Sequence, residues 1–169
     1  VSLAEIAVQQ LRDRIARTPG RIALVGVSPM TERAAVSLAQ AGLDFVVVNR
    51  SADKAAALAA RFGAKHLSLD EFRREPPAIE ALLTSTGAEH AILEEAALER
   101  IAAHTPSGQP PLVVDMAVPP DVEPAACEKL AITRIGMDEI VRRAEQNRAA
   151  RLLEAGPARE QVDDALDHL

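Results

Sequence analysis

The chain has 169 residues, enough for one domain with an appendage. It carries 25 acidic and 19 basic side chains, for a formal charge of −6, and no Trp or Tyr. That balance argues against a free-standing nucleic-acid binder, which needs a basic face and aromatic platforms. The single cysteine, Cys127, excludes an internal disulfide and a cysteine-based metal site. No apolar run approaches the roughly 20 residues of a membrane span, and no signal peptide is visible. The chain opens on Val rather than Met, as a processed or excised chain would. The expected location is cytoplasmic.

The opening VSLAEIAVQQLRDRIA predicts a helix. Ser2 and Glu5 have capping-box spacing, and Val1 and Ile6 stand at staple positions. Leu3, Ala7, Leu11 and Ile15 make its apolar stripe. IALVG then predicts a strand, MTERAAVSLAQ a helix closed by Gly42, and FVVVN a second strand. SADKAAALAARF predicts a helix with Ser51 as N-cap, and KHLSL a third strand. DEFRREPPAIE holds two prolines and predicts one helical turn with an irregular link. ALLTS, PLVVDM and LAITRI read as the fourth, fifth and sixth strands, with the helix EEAALERIAAH after the fourth and the loop AVPPDVEP after the fifth. From Met137 a long polar helix begins, which Gly156-Pro157 interrupts.

Strands that are apolar on both faces and alternate with helices predict a doubly wound parallel sheet, Rossmann-like, of about six strands. The C-terminal helical extension has too thin a stripe for a core helix and leads to a missing domain or a partner. The division is residues 1–136 for the doubly wound domain and 137–169 for the helical extension, which the family resemblance given below implies is the start of a spinal or dimerisation helix.

The stretch VGVSPMT follows the first strand, where a dinucleotide-binding protein keeps G-x-G-x-x-G. Gly26 holds the first position, and Ser28 and Thr31 replace the second and third glycines. Pro29 suits the first helical position. If Ser28 needs a left-handed backbone, it costs about 1–2 kcal/mol. Its side chain stands where the pyrophosphate comes closest, which predicts weakened binding, although its hydroxyl could donate to a phosphate. Asn49 lies 23 positions after Gly26, near the roughly 20 at which an NAD site places an acid on the ribose. Asn49, Arg50 and Ser51 stand there instead, which favours the 2′-phosphate of NADP.

VSLAEIA, ALVGVSPM, VVVNRS, TSTGAEHAIL, VVDMAVPPDVEP and IGMDEIVRRAEQNRAAR, in that order, resemble the NADP-binding domain of the glutamyl-tRNA reductase family over nearly the whole chain. STGAxH and DxAVPxD are the specific parts. The resemblance implies an NADPH-dependent reduction of glutamyl-tRNA(Glu) to glutamate-1-semialdehyde in tetrapyrrole biosynthesis. It implies a preceding catalytic domain with the nucleophilic cysteine, a following dimerisation domain, a homodimer at full length and tRNA(Glu) contacts through other domains. It places Gly26, Ser28, Pro29 and Met30 in the phosphate turn and Asn49, Arg50 and Ser51 at the 2′-phosphate. Ser85, Thr86 and Gly87 would border the cleft, and Met116, Ala117 and Val118 would lie near the nicotinamide. The chain departs from the family at Ser28 and at Pro120, where arginine is usual.

No residue here is assigned to catalysis or to a metal, and the chain alone is expected to lack reductase activity. His90 is read as holding its loop by a hydrogen bond, Cys127 as a buried small hydrophobe, and Asp115 and Asp121 as turn and cap residues. Two other readings stay open: an NADP-dependent reductase of the shikimate dehydrogenase kind, and a non-enzymatic module that has lost its cofactor.

Overall fold

The computed structural model describes the backbone of residues 2–167 and the side chains of residues 2–154. The elements are α1 (Leu3–Arg17), β1 (Ile22–Val25), α2 (Pro29–Gln40), β2 (Phe45–Asn49), α3 (Ala52–Ala60), β3 (Lys65–Ser68), α4 (Leu69–Arg74), β4 (Ala81–Thr84), α5 (Glu95–Ala103), β5 (Leu112–Asp115), α6 (Pro124–Lys129), β6 (Thr133–Gly136) and α7 (Met137–Asp167). The six strands form one sheet in the order β3-β2-β1-β4-β5-β6. Every neighbouring pair is parallel. The doubly wound arrangement expected from the sequence is therefore present.

Alternate strand residues feed opposite faces, as a pleated sheet requires. Ile22, Leu24, Val47, Leu83 and Val114 pack with α1, α2, α3 and Ile140 of α7. Ala23, Val25, Val48, Leu82 and Val113 pack with Phe72, Leu98, Ile101 and Cys127 of α4, α5 and α6. Burial on both faces is why the strands read as unbroken apolar runs. The strand order reverses between β1 and β4, and in open parallel sheets ligands bind outside the carboxyl ends of the strands at such a point.

Several local expectations change. Ser2 Oγ accepts the Glu5 amide at 3.2 Å. The return bond from Glu5 is absent among the described residues. The staple residue Val1 lies outside them. Residues 124–129 form the short helix α6, where the sequence predicts only the end of the loop AVPPDVEP before the sixth strand. Pro124 opens it, no side chain caps it, and six residues are too few to show a period. β6 starts at Thr133 rather than at Leu130, because Leu130 caps α6 and Ala131 turns left-handed at φ 57°. The helix from Met137 runs through Gly156 and Pro157 to Asp167 without the expected interruption. Proline inside a helix loses one backbone bond but does not always end it.

Candidate functional site

β1 and β4 lie side by side, so the turns that follow them meet. The Gly26 amide donates to Val48 O at 2.7 Å, and the Ser85 amide donates to Val25 O at 2.9 Å. Gly26 has φ 106°. A Cβ there would stand 2.3 Å from the Ser85 carbonyl oxygen and 3.0 Å from the Thr86 methyl. Glycine is required twice at this position, by its backbone angle and by the closeness of the β4 turn.

Ser28 needs no left-handed backbone, so the cost conditional on one does not arise. Its φ of −147° and ψ of 167° are extended, and it is the N-cap of α2. Ser28 Oγ accepts the Thr31 amide at 3.3 Å, and the Ser28 amide donates to Thr31 Oγ1 at 2.9 Å. This closes a capping box with threonine in the usual place of Glu or Gln. The Ser28 hydroxyl also donates to Ser85 Oγ at 3.2 Å, joining the two turns. Thr31 is fully buried, so the third fingerprint position is filled by packing rather than by a close glycine. Pro29 opens the helix, and half-buried Met30 leans on the core.

At the end of β2, half-buried Asn49 donates through Nδ2 to the Ser51 carbonyl at 3.3 Å. Ser51 caps α3 by accepting the Lys54 amide at 3.3 Å, and Arg50 is exposed. A cleft of about 240 Å³ opens between these turns. Val25, Gly26, Asn49 and Arg50 form one side, and Thr86, Gly87, Ala88 and Ile92 the other, with Leu69 between. No carboxylate lines it among the described residues. The structure thus brings Gly26, Asn49, Arg50, Thr86 and Gly87 around one cavity. Ser85 sits behind it, bonded to Ser28.

Met116, Ala117 and Val118 are placed differently. Met116 and Ala117 are buried, whereas Val118 is 79 % exposed. Ala117 and Val118 border a second, larger cleft of about 540 Å³ together with Pro120, Arg134, Met137 and Arg142. None of the three lines the Gly26 cleft.

Two buried carboxylates stand behind the loop between these clefts. Asp115 accepts the Thr84 hydroxyl at 3.1 Å, the amides of Ala117 and Val122 at 3.1 and 2.9 Å, and Arg134 Nη2 at 3.0 Å. Asp121 accepts the Thr86 amide at 2.9 Å and the Thr86 hydroxyl. Burial pushes the Asp121 carboxyl above the usual carboxylate range, the Thr86 bonds oppose this, and the nearby Asp115 charge adds to the rise.

His90 is exposed and makes no hydrogen bond among the described residues, so it does not tie its loop as expected. Cys127 is 2 % exposed, and burial pushes its thiol up to about 11, which suits a packing role. The sequence reading missed Leu69, Ala88 and Ile92 as cleft walls. Leu69 had been assigned to a strand end, and apolar residues in loops carry no signal of their own.

The family model for shikimate / quinate 5-dehydrogenase matches residues 5–142. The chain belongs to that family. Its sequence is also similar to glutamyl-tRNA reductases, as the motifs implied. The reductase of Kineococcus radiotolerans is 37% identical over 124 residues, covering 73% of this chain and 28% of that protein. That of Pelotomaculum thermopropionicum is 31% identical over 169 residues, covering 99% of this chain and 38% of that protein. The chain therefore spans about a third of the length of these curated relatives. The solved glutamyl-tRNA reductase of Methanopyrus kandleri superposes with a TM-score of 0.82 at 22% identity, over 99% of this chain and 43% of that one. At that identity it shows the shared fold. Among the described residues, no helix is long and apolar enough to cross a membrane.

Proposed function

We propose that this chain is the NADPH-binding domain of a glutamyl-tRNA reductase that acts in tetrapyrrole biosynthesis in the cytoplasm. The observation that carries the reading is the cleft at the strand-order reversal. There Gly26 leaves room that a Cβ would fill, and Asn49 and Arg50 stand opposite Thr86 and Gly87 with no carboxylate between them.

In this reading Gly26, Ser28, Pro29 and Met30 receive the pyrophosphate. Ser28 Oγ keeps its place as the cap of α2 and turns its proton from Ser85 to a phosphate oxygen, which a hydroxyl can do while accepting an amide. The positive end of α2 favours the anion. Asn49, Arg50 and Ser51 take the 2′-phosphate, with Arg50 as the charged donor. Ser85, Thr86 and Gly87 border the adenosine side, and Met116, Ala117 and Val118 lie toward the nicotinamide. NADPH supplies the hydride, and this domain supplies binding and orientation. The activated glutamyl group would be held by a catalytic domain elsewhere in the protein. A dimerisation domain beyond α7 would make the homodimer, and tRNA(Glu) would be met by the other domains. The chain alone would not turn over.

Paired calorimetric titrations with NADPH and NADH test the cofactor reading. A charge-assisted hydrogen bond is worth roughly 1.5–3 kcal/mol, so NADPH should bind about tenfold tighter or better at low salt. Arg50→Ala should erase that preference and leave NADH affinity nearly unchanged. Equal losses for both cofactors would place Arg50 on the adenine or the fold, and no binding of either would favour the non-enzymatic module.

A further inference from the structure

Asp121 does not line the cleft, yet it holds much of one wall. It sits in the loop after β5 and is fully buried. Its carboxylate crosses to the loop after β4, where Oδ2 accepts the Thr86 amide at 2.9 Å and Oδ1 accepts the Thr86 hydroxyl. Thr86 Oγ1 in turn accepts the Ala88 amide at 3.2 Å. The Asp121 carbonyl accepts the amides of Ile92 and Leu93 at 2.7 and 3.1 Å. Thr86, Ala88 and Ile92, the three residues fixed in this way, all line the cleft. The Thr86 methyl is also the atom that lies 3.0 Å from where a Gly26 Cβ would be, so the place of Thr86 sets the width of the gap at the fingerprint turn.

The bonding is one-sided. The Asp121 carboxylate takes both the amide and the hydroxyl of Thr86, with the Thr84 hydroxyl close by, and among the described residues no cation pairs with it. The Arg134 guanidinium donates to Asp115 instead. A buried carboxylate without a cation is costly. The Thr86 amide and hydroxyl go to separate carboxylate oxygens, and an Asn in the same space would offer one acceptor oxygen and an NH2 donor in place of the other.

We infer that Asp121 is the positioning residue of the cofactor cleft, aiming the Thr86–Ala88 segment through its two bonds to Thr86. This rests on the cofactor reading above. Asp121 acts through Thr86, so the two residues are coupled in binding.

The test is a double-mutant cycle on NADPH affinity, measured by calorimetry on the whole chain, with urea unfolding of every variant in parallel. Asp121→Asn and Thr86→Val should each raise Kd about tenfold. The double variant should bind no worse than the weaker single, because both substitutions remove one linkage. Thr86→Ser, which keeps the hydroxyl but not the methyl, should lose clearly less affinity than Thr86→Val. If Asp121→Asn does not fold, the contrast between Thr86→Val and Thr86→Ser carries the test. Wild-type affinity in Asp121→Asn, losses that multiply in the double variant, or equal losses in Thr86→Val and Thr86→Ser would overturn the inference and leave the cofactor reading standing. A wild-type chain that binds no dinucleotide at millimolar concentration would overturn both.

Discussion

At the amino end of the sheet, Glu80 is buried just before β4, and Arg14 of α1 reaches it at 2.9 Å. Its oxygens also accept the Ser107 amide and, at 2.9 Å, the Ser107 hydroxyl. Arg14 goes on to Pro110 O at 2.8 Å and Thr18 Oγ1 at 2.7 Å. Burial pushes the Glu80 carboxyl up, but the Ser107 amide, the Arg14 guanidinium and the Ser107 hydroxyl together hold it below the usual range. At the carboxyl end, Asp121 is as deeply buried, pairs with no cation among the described residues and lies near a second carboxylate, and its carboxyl is pushed up. The two acids sit at opposite ends of one sheet and shift in opposite directions. The end that ties α1 to the sheet keeps a compensated charge. The end that faces the cleft holds an uncompensated one, directed at a cleft wall. The electrostatic cost is thus concentrated at the carboxyl end of the sheet, and the amino end is held by a compensated ion pair.

The largest effect expected from this contrast is on stability at the amino end. Glu80→Gln leaves the Arg14 guanidinium buried without its counter-charge, which costs about 3–5 kcal/mol. Urea unfolding should show that loss, while the NADPH affinity of the folded protein stays at the wild-type value. A parallel loss of affinity would mean that the two ends are not separable.

The pH dependence of the two ends should have opposite signs. Glu80 has a folded-state pKa below its unfolded value, so its contribution is full above the unfolded pKa and is lost as pH falls through the folded one. Asp121 has a raised folded-state pKa, so its contribution is full below the unfolded value and is lost as pH rises through the folded one. Relative to wild type, Glu80→Gln should therefore gain stability on acidification, and Asp121→Asn should lose it. Unfolding curves from neutral pH down to about pH 4 would read both slopes. Slopes of the same sign would contradict the contrast.

The smallest effect concerns Ser28. Because its backbone is extended and its hydroxyl caps α2, Ser28→Gly exchanges one acceptable cap for another at a cost of a few tenths of a kcal/mol. NADPH affinity should fall by up to about tenfold, because the variant loses the hydroxyl that turns to the phosphate. A tenfold tightening would show that the serine side chain crowds the pyrophosphate after all.

Much of the fold was legible in the sequence, and physics explains which parts. β1, β2, β4 and β5 are short apolar runs because both faces of the sheet are covered, and Gly42 and Gly63 marked helix ends with φ 71° and 65°. α6 was illegible because a six-residue helix opened by Pro124 leaves no periodic trace. That Gly26 and Arg50 follow β1 and β2 side by side at one cleft was legible because the fingerprint fixes their spacing. The cap at Ser28 was missed because the fingerprint suggested a glycine-like backbone there. Ser28 and Thr31 stand at cap-to-N3 spacing, and the hydroxyl pair was the available clue. The link from Asp121 to Thr86 crosses 35 positions, and no local spacing could reveal it. STGA and DMAVPPD were each noticed as motifs, while the bond that makes them one structure appeared only in three dimensions.

In the proposed reading the cofactor enters the cleft between Gly26, Arg50 and Thr86 at the carboxyl end of the sheet. Amide NMR during an NADPH titration tests it most directly. The amides of Gly26, Arg50, Thr86 and Ala88 should shift and saturate together, while those of Gly20 and Ser107 at the other end stay in place. Shifts centred on Gly20 and Ser107, or a response near Arg134 with Gly26 and Arg50 unmoved, would contradict it.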